Sequence, residues 1–571
     1  MLLILGLAFA LALGLDPADP RWRVVAPMVA MEQFRLQDPI VLLGGLVLLG
    51  AMPLFARITA LDRLLGLGRA ASRPFVLAGL AGSTVLLGAV GTFLVMRGYA
   101  LSVDEALALF QADALASGQL LVPYDPRYEG MLEALAPLWV WIDRLHGVWS
   151  TEYRPLNSAL FAGFGLLHLR FAAAATMAGA AVLLTGLLAR KALPDEPWAP
   201  VVAAALLAAS PQVLLTAMTP YAMTAHLLVT TAWVLLWLRD DALGYVGAGL
   251  VTAVAIGLHQ VHVHPAIAAP FVLELLWRRR FVLFTAFSAW IGAVGVFWVA
   301  WRDLLVVGMP ERVAAADPDM PAESTHVLIR VGKLLADHGP QDVILWATNL
   351  YRFVSWQDLA LVLLAVTAML GMGRAPRIIR LLGWSCVTAI LPYVLLMPGQ
   401  GHGWGYRYLH PVLGLLAVVA CFGVVHLRTL TGDAWPRWRR AVLAVGALCT
   451  LAIPLRMVQA RAFVSPWADA WSHAAHADAE LVVVDASAVW FGLDLVRNYP
   501  ELTNRPLLLH GPSLSAEQLA ALCGRSDVAL LDGAALRSFG LLPDPSATGE
   551  TLAERFEAQG CQPRRLPGRV P

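Results

Sequence analysis

Apolar residues gather into long runs bounded by charge, proline or glycine. The runs lie near 2–15, 39–56, 75–96, 158–189, 198–216, 222–238, 242–258, 263–277, 281–300, 358–373, 380–397, 408–427 and 441–456. They approach the ~20 residues with which a helix crosses a ~30 Å hydrocarbon core, and so predict about thirteen spans. In hydrocarbon a backbone must bond to itself, so spans of this kind are helices. The runs 263–277 and 358–373 are short. The run 158–189 is too long for one span, and Arg170 splits it. Residues 156–168 are therefore expected to lie along the membrane surface before the true span begins. The first run, Met1 to Leu15, has no basic flank and reads as a span rather than a cleaved leader.

Outside the runs the pattern changes. In the acidic segment 97–157, residues 103–117 place Val103, Leu107, Phe110 and Leu115 at helical spacing. Residues 131–146 do likewise and are rich in Trp. Both predict amphipathic helices on the membrane surface, with Trp139, Trp141 and Trp149 in the interfacial layer. After residue 457 the runs shorten to Glu480–Asp485, Arg505–His510 and Asp527–Asp532, which predict buried strands. Helical stretches near 487–498 and 515–523 separate them, the second opened by a Ser515/Gln518 capping box. The alternation predicts a small α/β domain with a parallel sheet. Residues 563–571 are expected to be disordered. Cys523 and Cys561 are either a disulfide or two free thiols.

Composition sharpens the class. Of 571 residues 58% are hydrophobic and 14% charged, against ~25% charged in a soluble domain. That excludes a soluble enzyme, a disordered chain and a collagen. With 41 Lys+Arg against 40 Asp+Glu, no global basic field draws in nucleic acid. The five cysteines show no zinc-ligand spacing. Basic residues cluster in alternate loops: Arg57, Arg63, Arg69 and Arg73; Arg190 and Lys191; Arg278, Arg279 and Arg280; Arg374, Arg377 and Arg380; Arg428, Arg437, Arg439 and Arg440. The positive-inside rule puts these loops in the cytoplasm. Segments 16–38, 97–157, 217–221, 259–264, 301–357, 398–407 and the tail then share the outer face. The expected fold is an all-α polytopic membrane protein with a C-terminal extracytoplasmic α/β domain. Its divisions are 1–74 (two N-terminal helices), 75–456 (a helical transmembrane module) and 457–571.

The spans hold few ionisable groups, Glu274 and Arg170 being exceptions, which argues against a proton-coupled pump. Candidate chemistry sits where spans meet the outer face. Asp104 and Glu105 start the 103–117 helix; they either cap it or supply a base for an acceptor hydroxyl. Glu129 and Glu133 share a helix face, either solvated or bridged by a metal. His259, His262 and His264 end a span, and could hold a metal or a phosphate, or neither. In Pro398–Tyr408, glycines allow close backbone approach. There Arg407 is either a phosphate fork or a snorkelling cation among Trp404, Tyr406 and Tyr408. Tyr221, Tyr351 and Arg352 sit at the same level. No nucleotide-binding fingerprint is present.

Ser102-Val103-Asp104-Glu105, followed by Ala114, Gly118 and Leu120, resembles the first outer loop of GT-C glycosyltransferases, which include protein O-mannosyltransferases and lipid A aminoarabinose transferases. Ala136-Pro137-Leu138-Trp139-Val140-Trp141 is similar to their proline–aromatic segment, with Ala136 where the family has a first proline. Gly405-Tyr406-Arg407-Tyr408-Leu409 resembles a late outer-loop signature. The resemblance covers residues 75–456. It implies sugar transfer from a polyprenyl-phosphate donor to an acceptor hydroxyl of a lipid, glycan or protein, with inversion, at the outer face of the inner membrane. Asp104 would be the base, and Arg407 and one or more histidines would hold the phosphate. Some relatives use a divalent metal (Mg, Mn or Zn), for which Glu133 or Glu129 with His262 or His264 is the candidate set. The rival readings are a lipid or glycan flippase, which cleaves no bond, and a membrane scaffold whose tail binds a partner.

Overall fold

The computed structural model describes residues 1–14, 28–62, 74–136, 138–310, 339–396, 399–544 and 549–569. Arg63, Arg69, Arg73, Pro137, Pro398, Val570 and Pro571 lie outside the described residues, as do most of segments 16–38 and 301–338. The chain forms two compact units. One comprises Met1–Gly91, Phe171–Ala300 and Ala322–Gln459, the other Thr92–Arg170, Trp301–Pro321 and Ala460–Pro571.

Among the described residues the predicted apolar runs of the first unit are largely helical, but many are broken. Five helices among the described residues are long and apolar enough to cross a membrane, and one bent pair passes the same test when joined. Shorter apolar helices such as Pro39–Phe55, Ala222–Trp237 and Ala242–Ile256 accompany them. The breaks have local causes. Ser210 caps Pro211–Thr216 by accepting from the Val213 N–H, and this splits run 198–216 after Ala208. Pro211 suits the first turn of a helix and no later position. Asp358 accepts from the Ala360 N–H at 2.8 Å and starts Leu359–Leu370. That helix is bent by 114° from the one ending at Ser355.

Small residues bring these helices close, as in membrane bundles. A Cβ on Gly423 would stand 1.9 Å from the Leu364 carbonyl oxygen, so Leu413–Thr431 and Leu359–Leu370 meet backbone to side-chain position. The basic loops pair with acids. Asp240 binds Arg278 and Arg280, each at 2.5 Å. Glu196 binds Arg428 at 2.5 Å, and Asp62 binds Arg439 at 3.0 Å. Glu274, one of the few acids within a run, is held by Arg377.

The second unit joins the acidic loop to the tail through one core. Ala114, Leu132, Leu135 and Trp149 pack with Leu481, Val483, Leu509, Leu530 and Phe556. The four-stranded sheet is parallel, in the order Leu507–His510, Leu481–Val484, Val528–Leu531 and Arg564–Arg565. Ser515 and Gln518 form the expected capping box on Ala516–Cys523, and Cys523 is disulfide-bonded to Cys561.

Three expectations are corrected here. Residues 131–146 are not a helix. One turn, Leu132–Leu135, ends at Ala136, whose φ of −140° is the extended backbone imposed on a residue before proline. Val140–Asp143 and Val148–Thr151 then form an antiparallel hairpin turned at Gly147 (φ +66°). Residues 487–498 form only two 3-10 turns, Ala486–Ala488 and Gly492–Leu495. Phe491 is left-handed (φ +52°), and a Cβ on Gly492 would lie 2.2 Å from the Ala486 carbonyl. Residues 563–569 are ordered. Arg564–Arg565 is the fourth strand, and the Leu566 N–H donates to the Leu530 carbonyl at 2.8 Å.

Candidate active site

The acidic turn of the second unit starts the Val103–Ala116 helix. The first amides of a helix lack intrahelical acceptors. Ser102 Oγ accepts from the Glu105 N–H at 3.3 Å. The Val103 N–H is taken by the carboxylate of Asp494, at 2.8 Å, from the far end of the chain. Asp104 follows on the first turn, where the helix dipole favours an anion. It is half-buried, and the Tyr153 hydroxyl donates to its Oδ1.

Glu105 has a different environment. It is fully buried, and its Oε2 accepts from the Leu101 N–H at 3.0 Å. Burial pushes its carboxyl up to about 8, the Leu101 amide and Arg497 opposing and Asp104 and Asp494 reinforcing. The two neighbouring acids are thus set apart by environment, one half-buried and one fully buried. Because the native state keeps a proton that the unfolded chain releases above the usual value of 4.5, stability falls as pH rises from that value to about 8. We expect Glu105→Gln to abolish this fall. The variant should melt close to the wild type near pH 5 and clearly above it near pH 9, measured by thermal unfolding in detergent. Parallel melting curves at all pH values would contradict it.

Glu129 and Glu133 are both claimed by Arg144, Glu129 at 3.3 Å. His264 Nε2 pairs with Thr252 Oγ1 at 3.0 Å, and its ring packs edge-on to Trp233 at 5.3 Å. Among the described residues no three His, Cys, Asp or Glu side chains gather to hold a metal. Arg144 neutralises Glu129 and Glu133, and His264 is a core residue.

In the first unit the glycine-rich loop is built around Arg407. Gln400 bridges it, accepting from the Arg407 N–H at 3.0 Å and donating to the Gly405 carbonyl at 2.7 Å. Gln212 donates to the Tyr406 carbonyl at 2.9 Å. Gly405 has φ +67°, and a Cβ there would lie 2.4 Å from Gln212 Oε1. The loop thus requires glycine at this position. Arg407 is buried, with its guanidinium 5.2 Å from the Tyr221 ring and 5.3 Å from the Tyr408 ring. Its Nη1 and the Tyr221 hydroxyl both donate to the His402 carbonyl, at 3.0 and 2.9 Å. Tyr408 stacks on Tyr393 at 4.3 Å, and Tyr393 meets His262 at 5.5 Å. Arg407, Tyr221 and His262 thus lie along one series of ring contacts through Tyr408 and Tyr393, with Tyr406 edge-on to Tyr408 at 5.9 Å, and Arg352 Nη2 reaches the Gly403 carbonyl at 3.5 Å. Tyr351 instead stacks on Phe34 at 6.3 Å. His259 is buried within electrostatic reach of His226.

Arg352 has a second partner set. With Arg456 it flanks Asp38, at 3.6 and 2.6 Å, all three side chains fully buried. Trp356 Nε1 donates to Asp38 at 3.0 Å, and the Arg456 guanidinium lies 4.3 Å from the Trp356 ring centre. Asp494, Arg497, Tyr153, Asp38 and Arg456 were not singled out by sequence reasoning. None stands in a short motif.

No family model matches the chain, and no curated protein matches it. Among solved structures, it is similar to ArnT from Cupriavidus metallidurans bound to undecaprenyl phosphate. The alignment has 14% identity over 76% of this chain and 85% of that one, with a TM-score of 0.46. The same protein in the apo state aligns at 12% identity over 75% and 85%, with a TM-score of 0.40. The Archaeoglobus fulgidus oligosaccharyltransferase, in complex with Zn and sulfate, aligns at 12% identity over 70% of this chain and 60% of that one, with a TM-score of 0.36.

Proposed function

We propose that this chain is a GT-C-type membrane glycosyltransferase. It moves a sugar from a polyprenyl-phosphate donor to an acceptor hydroxyl on the extracytoplasmic face of the inner membrane, with Asp104 as general base. The observation that carries this reading is the asymmetry of the acidic turn. Asp104 is half-buried and hydrogen-bonded by Tyr153, while its neighbour Glu105 is fully buried, which pushes its carboxyl up. The order of the outer-face motifs, from Ser102-Val103-Asp104-Glu105 to Gly405–Leu409, supports it.

The chemistry needs little more. The acceptor oxygen forms a bond to the anomeric carbon as the bond from that carbon to the phosphate oxygen breaks. The hydroxyl proton passes to the Asp104 carboxylate, and the polyprenyl phosphate leaves with the electron pair. One displacement inverts the anomeric centre. Arg407, its fork fixed by His402 and framed by Tyr221 and Tyr408, matches the charge gathering on the departing phosphate. Tyr406 and His262 line the same loop cluster. The lipid phosphate is already a leaving group, so positioning and charge stabilisation suffice. No step depends on a metal.

The test uses membranes containing the full chain and undecaprenyl-phosphate-linked mannose or arabinose labelled in the sugar. Consumption of one donor should release undecaprenyl phosphate and a labelled acceptor in about equal amounts, as a single group transfer requires. Movement of intact donor across the bilayer without cleavage would identify a flippase and overturn the proposal. Consumption of neither donor, with the C-terminal segment needed for partner recovery, would favour a scaffold.

A further inference from the structure

The tail could be an appended binding module, but its contacts with the acidic turn say otherwise. Asp494 is 2% exposed, so its carboxylate is held out of water. Such burial costs free energy unless a directed bond offsets it. That bond goes to the Val103 amide, at a sequence separation of 391 residues. Arg497 closes the other side. Its Nη2 donates to the Leu101 carbonyl at 3.1 Å, and its Nε donates to the Asp494 carbonyl at 2.7 Å. Its guanidinium lies 4.0 Å from the centre of the Tyr99 ring, a cation–π contact at a site shielded from water. A carbonyl and an amide on either side of Ser102 are thus gripped by two side chains three residues apart. Asp104 is the next residue, half-buried and hydrogen-bonded by Tyr153.

We propose that Asp494 and Arg497 are positioning residues for the transfer reaction: they clamp the 101–103 backbone and so fix where the Asp104 carboxylate points. The tail is then part of the catalytic machinery. This rests on the glycosyltransferase reading above. The physical basis is that a general base works only within hydrogen-bond reach of the proton it takes. A misplacement of about 1 Å can lower a rate about 10²-fold.

The test uses the full chain in membranes, with whichever of undecaprenyl-phosphate mannose or arabinose the wild type consumes. Asp494→Ala should lower kcat about 10- to 50-fold with the donor KM changed less than about 3-fold, since the chemical step and not donor binding is disturbed. Asp494→Asn keeps an oxygen that accepts from the Val103 amide, and should recover to within about 5-fold of wild type. Amide hydrogen exchange supplies a second readout. The peptide over 99–106 should exchange faster in Asp494→Ala and not in Asp494→Asn, while the strands at 481–484 and 528–531 stay protected. In an Asp104→Asn background the Asp494→Ala change should cost nothing further, because it acts through Asp104.

Wild-type kcat in Asp494→Ala would overturn the clamp, as would equal losses in the Ala and Asn variants. Should Asp494→Ala unfold the tail, Arg497→Met decides. It keeps an apolar side chain over Tyr99 but loses the Leu101 bond, and an unchanged kcat would refute the proposal. Full activity in Asp104→Asn alone removes the base assignment. An inactive Asp104→Asn beside a fully active Asp494→Ala removes only the clamp.

Discussion

Asp104→Asn is expected to lower kcat/KM for sugar transfer about 10³-fold, within the 10²–10⁴ range that a positioned general base contributes. The substitution is nearly isosteric. An amide oxygen can still accept from Tyr153, and the helix start keeps its Ser102 and Asp494 caps, so folding should be unaffected. What is lost is the proton acceptor and the anion at the helix N-terminus. Transfer kinetics with equal amounts of folded protein provide the measurement. Full activity in Asp104→Asn would end the assignment.

The second large effect concerns stability. Asp38 stands before Pro39 at a helix start, yet its side chain makes no cap bond to its own helix. It is used instead between two buried guanidinia, Arg352 and Arg456, and under the Trp356 indole N–H. Among the described residues, two cations meet one anion here. Asp38→Asn leaves both cations without their counter-charge in a site from which water is excluded. Removal of one partner from a buried ion pair costs about 3–5 kcal/mol, and that is the loss expected here. Thermal unfolding of purified protein in detergent provides the check. Asp38→Asn should melt well below the wild type, and adding Arg456→Met should recover part of the loss by removing one stranded cation. An unchanged melting temperature in Asp38→Asn would show that the triad does not hold the helical unit together.

The helices were legible because burial in lipid or in a bundle needs long apolar runs, which are visible one window at a time. Their breaks were less so. Ser210-Pro211 and Asp358 act through single caps inside otherwise continuous runs. The hairpin at 140–151 was misread because Leu, Trp and Val at mixed spacing satisfy both periodicities, and only Ala136 before Pro137 marked the stop. The Ser515/Gln518 cap was readable because its partners are three residues apart. Asp104 and Arg407 stood out from their motifs. Asp494 did not, since its partner amide belongs to the opposite end of the chain and no local pattern announces it. The core shared by Trp149 and Leu509 is equally silent in sequence, because each half reads as an ordinary apolar segment.

The span of 391 residues between Val103 and Asp494 also sets a clock. A ribosome adds about 5–20 residues per second. The acidic turn therefore emerges roughly 20–80 seconds before the carboxylate that grips it has been made. Through that interval the nascent polypeptide holds its outer loop without its final partner. A chain that ended before residue 494 would lack the carboxylate that holds the Val103 amide.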